Sequence, residues 1–332
     1  LALIEFTNKG IYCSVADAYI DPWLPVNKAF ITHGHSDHAR YGSKKYIATR
    51  SAVPVIKLRL GSHIDITGVN YGEKLMLNGV SFSFHPAGHV IGSAQIRIEY
   101  KGEVWVVSGD YKTTFDGLSE AFEVVKCHHF ITECTFGLPA FTWESDDILR
   151  TKINTWWQSN ASRNQPSIIG AYALGKAQRI LNMADNSIGP VYGHAAIENV
   201  NTVIRSQRVN LPESRKIDLN DRKVDYGKAL IIAPPSAIQS AWADRFKDHQ
   251  AAIASGWMAI RGTRRRRNVD TGFVVSDHAD WHGLLGAVKE TGAEYIYTTH
   301  GYTEIFARYL TETGYNAQVV MTQFGEDEEG VE

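Results

Sequence analysis

Six consecutive residues, His33-Gly34-His35-Ser36-Asp37-His38, carry four groups able to bind a metal ion. Neutral imidazoles suit zinc, and a carboxylate offsets part of a dication's charge, so this mixture has the chemistry of a divalent-metal site. In an extended segment, residues i and i+2 point to the same side, which lets His33 and His35 share one metal. Asp37 and His38 lie beyond the turn and reach toward a second. A solvated histidine-rich loop is the blander alternative, and so many ligand types at this spacing argue against it. Further candidates fall where apolar segments end: Asp21 after YI, His89 in HPAGHVIGSAQ, Asp110 after VWVVSG and His300 after YIYTT. A single histidine or aspartate at a strand end is more often structural, but several of them beside a His/Asp cluster shift that balance.

Such ends need a rigid scaffold, because functional loops work when strands and helices hold them. Residues 45–48 (KYIA), 80–84 (VSFSF), 94–100 (AQIRIEY) and 103–107 (EVWVV) have the apolar enrichment or alternation of strands, with Val80, Phe82 and Phe84 on one face. Near residue 140 the character changes. Ser145 reads as the N-cap of a helix whose stripe is Ile148, Leu149, Ile153, Trp156 and Trp157. A second helix runs through KAQRILNMA, and the polar stretch 205–228 reads as a surface connection. From residue 273 onward strand (FVV), helix (LLGAVKETG) and strand (YIYTTH) alternate, which is α/β behaviour.

HGHSDH with a downstream His, Asp and C-terminal His resembles the metallo-β-lactamase superfamily. That resemblance implies one metal held by His33, His35 and His89 and another by Asp37, His38 and His300, with Asp110 bridging both. Asp21 matches the first acidic motif, which orients ligand histidines from behind, as a carboxylate does when it accepts an imidazole N–H. Glu133 in FITECTFG, His278 in VVSDHADW, His300 in TTHG and the stretch AYALGKAQRIL resemble motifs of the β-CASP nuclease branch. IDPW, ITHGHSDHARYGS, HPAGHVIGSAQ, VSGDYK, AYALGKAQR, ASGWM and VVSDHADW are similar to signature runs of the bacterial ligase-associated DNA exonucleases. The implied fold is α/β, a four-layer αββα core (1–140 and 270–332) with an inserted β-CASP cap (141–269) that covers the metals. The implied activity is a DNA exonuclease of repair, associated with a DNA ligase and a helicase. An RNA-processing endonuclease or 5′ exonuclease of the same fold is the alternative, and a small-molecule hydrolase or a non-enzymatic binding subunit ranks lower. Two divalent metals, zinc ahead of manganese, are expected to lower the pKa of a shared water and aim it at phosphorus. Asp37 would orient that water, and His278, supported by Glu133, would protonate the leaving 3′ oxygen. Cys134 stands where the family pattern has Ser, and a His at position 300 is typical of the RNA-cleaving branch, so DNA over RNA rests on the longer signature runs.

Arg264, Arg265, Arg266 and Arg267 are candidates for phosphate contact, against the alternative of a solvated loop. Lys176, at a helix start after Gly175, and Lys112, just after Asp110, are weaker candidates. His282 is expected at the surface and His85 in a supporting role, while His63, His128, His129, His194 and His249 lack partners for ligation. The Trp156–Trp157 pair reads as core.

The chain's 332 residues exceed a usual single core, so two domains or a large insertion are expected. A 44% hydrophobic and 21% charged composition is that of a globular protein, and no apolar run is long enough for a transmembrane helix. The start, LALIEFTNKGIYC, is short and carries Glu5, unlike a secretory signal. Three cysteines, Cys13, Cys127 and Cys134, do not form a disulfide framework and point to the cytoplasm. The net charge of −2 argues against a protein coated in positive charge, but not against a nuclease whose basic residues line one path.

Overall fold

The computed structural model describes residues 2–218, 220, 223–260 and 271–323. The chain forms two compact units, one of Leu1–Phe115, Ser119–Thr142 and Asp277–Val331, the other of Asp116–Leu118 and Trp143–Ser276.

The first unit opens with β1 (Ile4–Thr7), β2 (Gly10–Cys13), β3 (Ala18–Ile20), β4 (Lys28–Phe30), β5 (Lys45–Thr49), helix α1 (Val53–Leu60) and β6 (Ile66–Val69). It continues with β7 (Leu75–Leu77), β8 (Val80–Pro86), β9 (Ala94–Tyr100), β10 (Glu103–Val107) and β11 (His129–Cys134). The second unit holds α2 (Asp146–Ser162), β12 (Ser167–Gly170), α3 (Lys176–Met183), β13 (Val191–Gly193), α4 (Ala195–Ser206) and β14 (Arg215–Lys216). It closes with β15 (Leu230–Ala233), α5 (Pro235–Ile238), β16 (Gln250–Ala254) and β17 (Thr271–Phe273). The chain then returns to the first unit as α6 (Trp281–Thr291), β18 (Tyr295–Gly301), α7 (Thr303–Glu312) and β19 (Asn316–Val319).

Two sheets make the first unit: β1 to β6 in sequential order, and β19-β18-β11-β10-β9-β8-β7. They meet through one core. Val80, Phe82 and Phe84, the alternating face of β8, are fully buried, and Phe82 stacks on Phe30 of the other sheet with ring centroids 4.3 Å apart. Each such side chain contributes about 1.5–3 kcal/mol on leaving water. β10 reads as a continuous apolar run because both its faces are covered. Trp105 and Val107 join the core between the sheets, while Val104 and Val106 pack with Leu284, Phe306 and Leu310 of α6 and α7. On the far side of the first sheet, Ala29, Tyr46 and Ala48 cluster with Ile56 of α1.

Strand direction places the loops. β3, β4 and β5 run parallel, as do β10, β11 and β18, so their carboxyl ends lie side by side. Asp21 follows β3, His33 follows β4, Asp110 follows β10, Glu133 lies near the end of β11 and His300 near the end of β18. The ends of parallel strands are the usual place for a site in α/β proteins.

The second unit is a parallel six-stranded sheet in the order β14-β13-β15-β12-β16-β17. Thr271–Phe273, expected to begin the returning part of the core, instead pairs with β16 as an edge strand. Ser145 is the N-cap of α2 without a side-chain capping bond, and the buried stripe is narrower than expected. Leu149, Ile153 and Trp157 are buried, Ile148 is exposed, and half-buried Trp156 packs edge-on against Phe273. The 205–228 connection contributes the short strand β14. Among the described residues no helix is long and apolar enough to cross a membrane.

Candidate metal centre

All the candidate ligands lie in the first unit. His33, His35, His89 and Asp110 present ligand atoms within 4.8 Å of one another. His35 Nδ1 lies 3.1 Å from His33 Nε2 and 3.0 Å from His89 Nε2, and Asp110 Oδ2 is 3.4 Å from His33 Nε2 and 3.7 Å from His89 Nε2.

The outward partners decide which nitrogen faces inward. His89 Nδ1 donates to the Asp277 carbonyl at 3.0 Å, which leaves its Nε2 as a lone pair. Thr32 Oγ1 donates to Asp21 Oδ2 at 2.6 Å, so toward His33 Nδ1, 3.0 Å away, it accepts. His33 therefore also turns a bare Nε2 inward. With those two atoms bare, at most one proton, on His35 Nδ1, serves two close N···N contacts. Lone pairs converging in this way fit a divalent cation.

A second group shares Asp110 with the first: His38, Asp110 and His300 lie within the same 4.8 Å limit, as do His33, Asp37 and His38. His38 Nδ1 donates to Asp21 Oδ2 at 2.7 Å, and its Nε2 is 3.3 Å from Asp37 Oδ2 and 3.4 Å from Asp110 Oδ1. Asp110 Oδ1 is buried and makes no hydrogen bond among the described residues, an atom that a cation would satisfy. Asp21 thus supports His38 directly and His33 through Thr32. Its backbone φ is 42°, left-handed for a non-glycine residue.

His300 is aimed by a bulge. The β11–β18 register pairs Glu133 with Thr299 and Cys134 with Gly301, leaving His300 as the extra residue at φ 59°. Such bulges re-aim a side chain at the cost of local strain. Gly301 makes the close approach possible, since a Cβ there would sit 2.4 Å from Thr135 Cα.

Glu133 and His278, 145 residues apart, meet. His278 Nδ1 lies 2.9 and 3.1 Å from the two carboxylate oxygens, and both residues are buried. The carboxylate also accepts from the Tyr111 backbone N–H at 2.8 Å, from the Thr135 N–H at 3.2 Å and from the Thr135 hydroxyl. His278 is held by its neighbours: Ala279 N donates to the Tyr111 carbonyl, and Asp280 caps α6 by accepting from Gly283 N. His278 and His89 have ring centroids 4.6 Å apart.

The charges are those of a site built around cations. Burial pushes His33 and His89 well below their ordinary imidazole pKa, and nearby imidazoles add to it, so both are neutral donors. At His38 burial also acts downward, but the carboxylates of Asp37, Asp110 and Asp21 outweigh it and raise its pKa, a concentration of negative charge that a bound cation would neutralise in place of the proton. Burial acts upward on Asp37 and Asp110, and the facing histidines outweigh it, keeping both ionised.

Lys112 is buried at 2% exposure in the first unit. Lys176 begins α3 as expected but is buried, with its ammonium 4.9 Å from the centre of the Tyr172 ring. Arg264, Arg265, Arg266 and Arg267 lie outside the described residues. His85 bonds Ser83 and Glu123. Sequence reasoning does not single out Thr32, Tyr111, Thr135 or the Asp277 carbonyl, and adjacency to a candidate is the only signal they carry. Gly109 belongs with Thr32: a Cβ there would lie 2.6 Å from Thr32 Cβ and 2.7 Å from its Oγ1.

No family model matches the chain. It is 27% identical over 327 residues to a probable DNA ligase of Opitutus terrae, covering 98% of this chain and 31% of that protein. It is 29% identical over 122 residues to the endoribonuclease YSH1 of Eremothecium gossypii, covering 36% of this chain and 16% of that protein. The chain thus spans about a third or less of the length of these curated relatives. A solved structure, a protein of unknown function from Enterococcus faecalis, shares the fold with a TM-score of 0.60 at 12% identity over 90% of this chain and 80% of that one. The names of these relatives, with an RNase J-like protein of Methanocaldococcus jannaschii among them, point to the metallo-β-lactamase/β-CASP nuclease family.

Proposed function

We propose that this chain is a two-metal phosphodiesterase that degrades DNA from an end, on a four-layer αββα core with the second unit as its β-CASP cap. The observation that carries the reading is Asp110, shared between two converging sets of histidines beside the Glu133–His278 pair. His33, His35 and His89 would hold one metal, and Asp37, His38 and His300 the other. Two divalent cations there, zinc ahead of manganese, would supply a nucleophilic water near neutral pH and charge neutralisation at the phosphate. Asp37 orients the attack. Glu133 fixes Nδ1 of His278, which turns Nε2 toward the leaving 3′ oxygen as its proton donor. The relative matched across 98% of this chain is named a probable DNA ligase, which supports work on DNA beside a ligase; a helicase partner and a cytoplasmic location complete the proposal.

RNA cleavage is the second reading, favoured by His300 and by the endoribonuclease relative, whose match covers 36% of this chain. One sequence, prepared as DNA and as RNA and labelled at either end, separates the two. Mononucleotides released first from one labelled end of the DNA are the expected result. Internal cuts confined to RNA overturn it in favour of RNA processing. Protein loaded with two metals that cuts neither strand is not a nuclease.

A further inference from the structure

The stretch from Arg40 to Asp65 carries six Lys/Arg residues against one acid, Asp65, in a chain whose net charge is −2. It starts two residues after His38, and two of its arginines bond the metal loop. Arg40 Nε donates to the Asp37 carbonyl at 3.2 Å, and its two terminal amino groups make no hydrogen bond to any described residue. Arg59 of α1 donates to the Gly34 carbonyl. Between these arginines stands Tyr41, 65% exposed. Its turn is stiff: the buried Tyr46 hydroxyl donates to the Arg40 carbonyl and accepts from Ser43 N, both at 2.9 Å. A large ring held out on a pinned turn does little for the core.

Gly42, the residue after Tyr41, lines a groove of about 330 Å³ with Lys9, Lys28 and Lys44, and Asp17 on its wall accepts from the Tyr12 hydroxyl. Lys28 pairs with Lys45 at the start of β4 and β5, whereas the metal ligands leave from the end of β4. At strand rise the turn therefore bridges about 16 Å from the ligands to the groove, room for several nucleotides. Cationic groups along a groove with an aromatic face between them are how proteins hold single strands.

We propose, resting on the nuclease reading, that the Arg40–Tyr41–Lys44 face is the track by which one unpaired nucleic-acid strand enters the metal site. Tyr41 stacks on a base, while Arg40 and the groove lysines take the flanking phosphates. A base inside a duplex has both faces covered, so the ring selects single strands and frayed ends.

The test is equilibrium binding of a short phosphorothioate oligothymidylate, with the same strand in a blunt duplex for comparison. Tyr41→Ala weakens single-strand binding about 10-fold, and Tyr41→Phe, which keeps the ring and loses only the hydroxyl contact to His63, binds as wild type. Arg40→Gln lowers the slope of log affinity against log salt by about 0.7, one phosphate on a single strand. Unchanged melting temperature and metal content show that the variants are folded. Tyr41→Ala binding like wild type, Tyr41→Phe failing as badly as Tyr41→Ala, or a blunt duplex bound as tightly as the single strand each overturn the track. Wild-type protein with no affinity for any nucleic acid overturns the nuclease reading as well, so the two failures are distinguishable.

Discussion

Each unit buries a cluster of polar side chains, and the two are built on opposite principles. In the second unit, the Glu198 carboxylate accepts from Asn201, Ser214 and Arg205, and Asn201 in turn accepts from Gln178 at 2.8 Å. Gln178 then accepts from Gly175 N and donates to the Ala173 carbonyl, tying down the loop before α3. Donors meet acceptors, and the Glu198 carboxylate is matched by protein donors, with Arg205 Nε the one atom of the network left without a partner among the described residues. In the first unit, imidazole nitrogens of His33, His35 and His89 face one another at 3.0 and 3.1 Å, and Asp110 Oδ1 has no hydrogen bond among the described residues. The outward nitrogens of His33, His38 and His89 meet Thr32, Asp21 and the Asp277 carbonyl. A buried polar group closed on its neighbours specifies a fold, whereas one whose lone pairs converge is prepared for a ligand.

That contrast is broken most easily at its centre. Asp110→Asn keeps the shape and removes the shared charge, so metal is lost from both positions and hydrolysis falls by about 10³-fold. Metal analysis and initial rates check this, and a variant with two metals and full activity ends the shared-carboxylate reading. His278→Ala slows cleavage by about 10²–10⁴-fold while keeping its metals, because its inner partner is Glu133. A substrate with sulfur as the 3′ leaving atom needs no protonation and restores the rate, and Glu133→Gln gives a milder form of the same pattern. Loss of metal or absence of rescue makes His278 a ligand or a positioning group instead.

Smaller effects sharpen the comparison. Thr32→Val removes the hydroxyl linking Asp21 to His33, and metal affinity falls about 10–100-fold in chelator competition, with Thr32→Ser retaining most of it. Equal behaviour of Val and Ser makes the hydroxyl irrelevant. Glu198→Ala leaves three buried or half-buried donors unmatched and lowers stability by about 2–3 kcal/mol in urea unfolding, with metal content unchanged. Metal lost from that variant erases the distinction between the clusters.

Much of this was legible in the sequence because the signals are local. HGHSDH puts ligand types together by spacing, β8 and β9 announce themselves through alternating Val, Phe and Ile, and β10 through an unbroken apolar run. The strand ending at Phe273 was harder to assign, since an apolar strand carries no mark of the sheet it joins. Lys112 and Lys176 read as candidates for phosphate contact, and only packing shows that both are buried.

By itself the sequence determined which chemistry is present: histidines and carboxylates at the ends of strands, and a basic run following the first cluster. Tertiary structure decided which atoms are used. His89 turns Nε2 inward because a carbonyl 188 residues away takes its other proton, and His278 finds its carboxylate across 145 residues. His300 is aimed by a bulge that exists only once β18 pairs with β11. Ligand type is a property of one side chain, but tautomer, direction and charge are set by whatever the fold brings against it. Those neighbours are distant in the chain.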